Sequence, residues 1–388
     1  MTEPQVRLTA RGAQRLLAGH YWVYRSDIGS APNVEPGDAV RVVDERGRFL
    51  GKAWFSASSQ IALRLVTLDD LPLDDAYLRA RLEAAARYRA RVVENSTAYR
   101  LVYGESDGLP SVIVDRYGDI LVLQTLSQAS ERRKATLVRL LQELFAPRAI
   151  VERNDPKVRR LEGLEPAVGV LAGQLEGEVL VEENGLRLAY DVLKGQKTGG
   201  FLDQRENRQA AAGYATGDVL DGFCYTGAFA LAAARRAASV EGIDLSPAAV
   251  ASARRNAELN GISNATFREA NAFDVLKAYA EAGRRFDMVI LDPPAFAKNR
   301  ASLPAARRGY KEINLRALKL LRPGGILVTC SCSHHVPESL FLEILSEAAL
   351  DARRTLVVLE RRTQARDHPI LLTLPETHYL KCLLMHVR

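Results

Sequence analysis

From about residue 191 onward, apolar runs short enough to be strands alternate with stretches long enough to be helices, and that rhythm leaves few folds open. Val219-Leu-Asp221 leads into a glycine-bearing turn, with a helix expected from about Gly227. Val240-Glu-Gly-Ile-Asp244 precedes a helical stretch over residues 247–260. Phe286-Asp-Met-Val-Ile-Leu-Asp292 and Gly325-Ile-Leu-Val-Thr-Cys330 read as further strands, apolar almost throughout. Strands apolar on both faces need cover on both sides, so the pattern predicts an α/β, Rossmann-like domain with a parallel sheet between helical layers. In such sheets ligands sit beyond the carboxyl ends of the strands, and the chemistry is to be sought there.

The first strand end supplies Asp221-Gly-Phe-Cys-Tyr-Thr-Gly227. Glycine lets the chain turn sharply and lets backbone approach a ligand, which makes Phe223, Tyr225, Thr226 and Gly227 candidates for a cofactor loop. The second end supplies Asp244 and Leu245, about 20 positions downstream, the distance at which an acidic residue can accept both ribose hydroxyls of a nucleoside. Asp221 adds a carboxylate suited to the ammonium of S-adenosylmethionine, whereas a dinucleotide pyrophosphate would be repelled by it. Asp244 could instead cap the next helix, but Ser246 before Pro247 fits that task better. The third end holds Asn271, Ala272 and Phe273, with the Asn271 amide suited to the adenine edge and the Phe273 ring to its face.

The fourth end, Asp292-Pro-Pro-Ala-Phe296, is stiffened by two prolines. Pro293, Pro294 and Phe296 could hold a base extruded from its stack while Asp292 bonds the polar edge. The next strand ends in Thr329-Cys-Ser-Cys-Ser333. Carbon 5 of cytosine is a weak nucleophile, and a thiolate adding at carbon 6 makes it enamine-like, able to take a methyl from a sulfonium. Cys332, further beyond the strand, suits that role; Cys330 suits a buried position, where cysteine acts as a small hydrophobe.

The rest of the chain bounds the setting. A chain of 388 residues exceeds a single core, and three blocks are expected: 1–75, 76–190 and 191–388. The first, a helix at 10–17 followed by short strands near 38–43, 49–55 and 60–66 with tight turns, reads as a small β-barrel. The second opens on a helix over 73–92 and is mixed α+β, with strands near 111–114, 120–123, 149–153 and 177–183 and a helix near 131–144. The N-terminus lacks a secretion signal and no apolar run is long enough for a membrane helix, so a cytoplasmic protein is expected. Four cysteines, at 224, 330, 332 and 382, suit neither a disulfide framework nor a zinc site, and no metal is expected. A net charge of +6 permits a polyanionic partner. Arg307, Arg308 and Lys311, just after the Asp-Pro-Pro turn, could contact phosphates or simply form a solvated face.

Across nearly its whole length the chain resembles the RlmI-like 23S ribosomal RNA large-subunit (cytosine-C5-)-methyltransferases, which carry an N-terminal PUA domain. The resemblance rests on Gly104-Glu-Ser-Asp-Gly-Leu-Pro110 and Val114-Asp-Arg-Tyr-Gly118, and on Lys197-Thr-Gly-Gly-Phe-Leu-Asp-Gln-Arg205 with Asn207-Arg208. It extends to Tyr225-Thr-Gly227, Asp292-Pro-Pro-Ala-Phe296, Arg308-Gly-Tyr-Lys311, Ser331-Cys-Ser333 and Asp367-His-Pro369. It implies a PUA barrel, an α+β central domain, a methyltransferase domain using S-adenosyl-L-methionine, and ribosomal RNA as partner. It also implies Cys332 as nucleophile, Asp292 at the base, Phe201, Asp203 and Arg205 lining the cofactor cleft, and a frequent homodimer. Ala295 and Phe296 follow Pro294 where many RNA cytosine-5 methyltransferases carry a second cysteine, a departure the RlmI-like group shares. Three rivals remain: a nitrogen methyltransferase of the same architecture acting, for example, on guanine N7; a non-catalytic RNA-binding protein; and a nicotinamide oxidoreductase.

Overall fold

In the computed structural model, which describes residues 3–297 and 299–388, the strand–helix alternation closes into a seven-stranded sheet. Its strands are β1 (Asp218–Asp221), β2 (Ser239–Asp244), β3 (Ala265–Glu269), β4 (Phe286–Leu291), β5 (Leu321–Ser331), β6 (Leu356–Arg362) and β7 (Lys381–Val387). They lie in the order β3-β2-β1-β4-β5-β7-β6. The first five run parallel, and β7 runs antiparallel to both β5 and β6. The order reverses between β1 and β4, so the loops following those two strands border one crevice, where sheets of this kind bind ligands.

The helices are α1 (Arg205–Tyr214), α2 (Ala228–Ala234), α3 (Pro247–Leu259), α4 (Ala272–Glu281), α5 (Leu303–Leu320) and α6 (Glu338–Ala352). The Ser246 side chain accepts from the Ala249 N–H and Pro247 opens α3, which fixes where that helix begins. Leu220, Ile243, Val289 and Leu327 on the sheet pack with Ile313 and Leu318 of α5 and Phe341 and Ile344 of α6, all fully buried. Each such side chain contributes about 1.5–3 kcal/mol by leaving water, and this core holds the strand ends in place.

These elements, with Glu182–Ala189, Gln204–Ala365 and His378–Arg388 as their limits, make one of two compact units. The other takes the chain up to Val181 with Tyr190–Asp203 and Arg366–Thr377. It contains a six-stranded sheet in the order Trp22–Tyr24, Ile61–Thr67, Phe49–Phe55, Ala39–Val43, Gln5–Leu8, Ile28–Ser30, with helix Ala10–Leu17 and a core including Val6, Leu8, Leu16, Val40 and Leu63. A second sheet of five strands runs Ala167–Gly173, Ala149–Asn154, Ile120–Thr125, Val112–Tyr117, Ala98–Tyr103.

Two features of this unit differ from the sequence reading. The helix expected at 131–144 is two helices, Gln128–Arg132 and Lys134–Phe145. Ser127 and Ser130 cap the first reciprocally, and the Arg133 guanidinium between the two donates to the Gly37 and Ala129 carbonyls. The barrel block and the α+β block fall in one unit, tied by the wholly buried Glu162, which takes Arg64 at 2.8 Å and the Ser56 hydroxyl at 2.7 Å. The segment Arg366–Thr377 joins the same unit because the Asp367 carboxylate accepts from the Arg100 N–H and its carbonyl from Arg89, pairings across more than 260 residues that no local pattern announces.

Candidate active site at the carboxyl ends of the strands

The turn after β1 is shaped by left-handed backbone at Tyr225 (φ +47°) and Gly227 (φ +85°). A Cβ on Gly227 would meet the Ala253 Cβ at 3.0 Å and the Phe267 ring at 3.1 Å, so glycine is needed both for the turn and for the approach of α3. A left-handed tyrosine is uncommon, and here the Tyr225 N–H donates to Asp244 Oδ2 at 2.9 Å, which ties the turn to the end of β2. The other Asp244 oxygen accepts from the Ser246 N–H at 2.9 Å, and Ser246 itself caps α3. Each carboxylate oxygen keeps a lone pair for a further donor. Leu245 beside it is 69% exposed, an apolar side chain facing solvent at a strand end.

Asp221 is fully buried at the tip of β1. One oxygen accepts from the Phe223 N–H, at a long 3.4 Å; the other, Oδ2, is buried with no hydrogen-bond partner. Burial, with Asp292 and Asp244 nearby, pushes its carboxyl up to about 8. A buried, unpartnered carboxylate oxygen is costly unless a cation completes it. An α-ammonium is such a cation, and Asp221, Asp244 and the exposed Leu245 together present groups for an ammonium, a ribose diol and an apolar ring. The donor set fits S-adenosylmethionine.

The loops after β4 and β5 are joined directly. The Ala297 N–H, at the end of the Asp292-Pro-Pro-Ala-Phe296 turn, donates to Ser333 Oγ at 3.2 Å. Tyr310 of α5 fixes both loops: its hydroxyl shares bonds with Ser331 Oγ and Ser333 Oγ, each at 3.0 Å, and the Phe296 ring packs on its own at 4.7 Å. Ser331 and Ser333 are fully buried while Cys332 between them is half-buried. Cys330 is buried on β5 opposite Cys382, and burial pushes its thiol well above the ordinary value. Of the two thiols, Cys332 is the accessible one. Asp292 is half-buried, and Gln204 Nε2 donates to its Oδ1 at 2.9 Å. Gln204 accepts from Asn207 Nδ2 at 2.7 Å, and Asn207 Oδ1 accepts from Arg362 at 3.0 Å, so a buried polar chain runs from β6 to this carboxylate.

Several predicted residues have additional or different surroundings. Asn271 is exposed, and its Oδ1 accepts from the Phe273 N–H as the cap of α4, which leaves its amide N–H groups for a ligand edge. Phe273 packs on Phe296 at 5.9 Å and against the core, and Ala272 is buried. Phe223 is half-buried and Thr226 buried. Pro293 is buried and Pro294 exposed, while one side of Phe296 is taken up by Tyr310 and Gly309. Arg205 is buried at the start of α1. Phe201 and Asp203 belong to the other unit, where Lys197 donates to Asp203 Oδ2 at 2.6 Å and lies over the Phe201 ring. Arg307 pairs with Glu343 and Glu347, and Lys311 with Glu347 and Asp351, so α6 balances their charge; Arg308 is exposed.

Sequence reasoning missed Gln204, Tyr310, Ser333 and Lys381. Gln204, Tyr310 and Ser333 sit inside the motifs 197–205, 308–311 and 331–333, but nothing local to them marks which side chains they would meet. Among the described residues there is no cluster of potential metal ligands, and no helix is long and apolar enough to cross a membrane.

The chain is similar to known proteins over nearly its whole length. Residues 93–385 match the family model described as S-adenosylmethionine-dependent methyltransferase, and residues 6–68 match a PUA-like domain. A protein of Shewanella denitrificans named ribosomal RNA large subunit methyltransferase I is 43% identical over 99% of both chains. One of the same name from Klebsiella pneumoniae is 40% identical over 97% of both. Among solved structures, a protein from Streptococcus mutans described as a SAM-dependent methyltransferase matches 98% of this chain and all of its own with a TM-score of 0.82 at 21% identity. A methyltransferase solved with SAH gives 0.83 at 21% identity over 98% of this chain and 99% of that one.

Proposed function

Because the chain belongs to the S-adenosylmethionine-dependent methyltransferases, among relatives named ribosomal RNA large subunit methyltransferase I, we propose that it methylates carbon 5 of a cytosine in 23S ribosomal RNA. S-adenosylmethionine is its cofactor and, when bound, supplies a methyl group made electrophilic by the sulfonium. Asp221 holds the ammonium, Asp244 the ribose hydroxyls, and Leu245, with the Asn271 amide, the adenine.

The observation that supports the reading is the tether from the Ala297 N–H to Ser333 Oγ, which joins the Asp292-Pro-Pro turn to the loop carrying the half-buried Cys332. Asp292, steadied by Gln204, bonds the polar edge of the extruded base, with Pro294 and Phe296 walling it. The Cys332 thiolate forms a bond to carbon 6 and pushes the ring electrons onto carbon 5. Carbon 5 would then take the methyl group as the methyl–sulfur bond of the sulfonium breaks, its electron pair staying on sulfur. A base removes the carbon 5 proton, the double bond between carbons 5 and 6 re-forms, and the sulfur leaves as thiolate. The N-terminal barrel, within residues 1–75, contacts RNA outside the reacting nucleotide, as its PUA-like match suggests.

The test is methyl transfer to undermethylated 23S ribosomal RNA, with the product mapped by mass spectrometry. The wild type should yield 5-methylcytosine and Cys332→Ser none. Methylation retained by Cys332→Ser, or a methyl group found on nitrogen, would overturn the covalent route.

A further inference from the structure

Lys381 opens β7 opposite Ser331 of β5, one residue from the thiol. It is 5% exposed, and its Nζ donates to two backbone carbonyls, Ser333 at 2.8 Å and Tyr379 at 2.9 Å. Among the described residues no carboxylate lies within ion-pair distance of it. A buried ammonium held only by neutral carbonyls is expensive, and a lysine kept at such a place needs a compensating negative charge. The first charge acting on it in its favour is the sulfur of Cys332; Glu338, at the start of α6, follows.

We propose that Lys381 is a counter-charge that favours the thiolate of Cys332, held beside it by its bond to the carbonyl of the next residue, Ser333. This rests on the reading of Cys332 as nucleophile. The same interaction acts on both partners: a thiolate favours the ammonium, and the ammonium favours the thiolate. Burial draws the Lys381 ammonium down to about 8, which leaves it mostly protonated at neutral pH and leaves the pair to titrate together. Among the described residues, three further titratable groups near Cys332 push differently. Tyr310 of α5 stays neutral, since burial raises its hydroxyl; Asp292, just past the end of the neighbouring strand β4, carries a charge of the same sign as a thiolate; His334 lies against the Tyr379 ring. Lys381 therefore works against Asp292. Catalysis would gain because the attacking species is the thiolate, at a pH where a free thiol is mostly protonated.

The experiment uses the full chain without RNA or cofactor: the rate of iodoacetamide labelling at Cys332 is followed against pH by peptide mass spectrometry, with Cys332→Ser as blank. In the wild type the midpoint should fall below the ordinary cysteine value of about 8.5. In Lys381→Met it should rise by about one pH unit or more, cutting labelling at pH 7 roughly tenfold, and Lys381→Arg should keep the wild-type midpoint. A wild-type midpoint at or above the ordinary value overturns the proposal without any variant, so a Lys381→Met protein that fails to fold does not protect it. An unchanged midpoint in folded Lys381→Met overturns it too. Should Cys332→Ser still methylate RNA, the covalent reading fails, while the ion pair is judged separately by the labelling curve.

Discussion

Replacing Asp221 by Asn should stabilise the cofactor-free protein and weaken cofactor binding at once. The carboxyl is fully buried and is pushed up to about 8 from 3.8. A carboxyl raised on folding holds its proton in the native state over a range where the unfolded chain has lost it. Stability is therefore full below about pH 4, falls by about 1.4 kcal/mol per pH unit between there and about 8, and levels off above. At pH 7 that span is about three units, so Asp221 costs the free protein about 4 kcal/mol. The amide carries no such cost, although it too is buried and short of partners. Asp221→Asn should then gain roughly 2–4 kcal/mol at pH 7 and little at pH 4.

Cofactor binding reads the same group from the other side. At pH 7 about nine-tenths of the free protein carries the proton on Asp221, and an arriving ammonium requires the ionised form. Each binding event should release about 0.9 proton from the wild type. Calorimetry with S-adenosylmethionine in phosphate and in Tris measures this as the dependence of the observed heat on buffer ionisation enthalpy. Asp221→Asn should bind roughly 10- to 100-fold more weakly, the loss expected for a charged hydrogen bond, and should release almost no proton. A wild type that releases none, or a variant that releases as much, would refute the assignment of Asp221 to the ammonium.

Two further outcomes follow from the geometry. Gly227→Ala places a Cβ at 3.0 Å from Ala253 with φ at +85°, and should lower the urea-measured stability by about 1–3 kcal/mol; an unchanged midpoint would mean that α3 yields freely. Arg308→Ala should reduce the salt dependence of RNA binding by about one counterion, whereas Arg307→Ala, already paired with Glu343 and Glu347, should leave the slope nearly unchanged; equal slopes for wild type and Arg308→Ala would assign Arg308 to solvent.

Where the sequence was legible, a local cause stands behind it. The expected strand at Val240–Asp244 is observed as Ser239–Asp244, because an apolar run bounded by Ser246 and Pro247 has one way to stop. The strand expected at 325–330 is observed as Leu321–Ser331, and the ends holding Asp221, Asp244 and Asp292 fall where the apolar runs end. What escaped depends on partners far along the chain. β6 and β7 were not read as strands, although β7 is almost wholly buried, since no α-helix separates them as helices separate the parallel strands. Gln204 looks like one polar residue among many until α1 brings it against Asp292. Lys381 looks like surface until β7 pairs with β5 and buries it.

The two cysteines of Cys330-Ser-Cys332 show how narrow the margin between structure and chemistry is. They are two residues apart, so a strand continued through both would turn both sulfurs the same way. Their fates part because pairing stops between them: Cys330 still has Cys382 opposite, whereas the ladder with β7 ends at the Ser331–Lys381 pair. Beyond that point the backbone is held by side chains, with Tyr310 gripping Ser331 and Ser333 and Lys381 gripping the Ser333 carbonyl. A paired strand would have buried Cys332 as it buries Cys330, raising its thiol out of reach of neutral pH. An unpaired loop without those anchors would have left the sulfur mobile. The serines on either side of Cys332, fully buried and bonded to one tyrosine hydroxyl, resolve that conflict by fixing the backbone while Cys332 between them stays only half-buried.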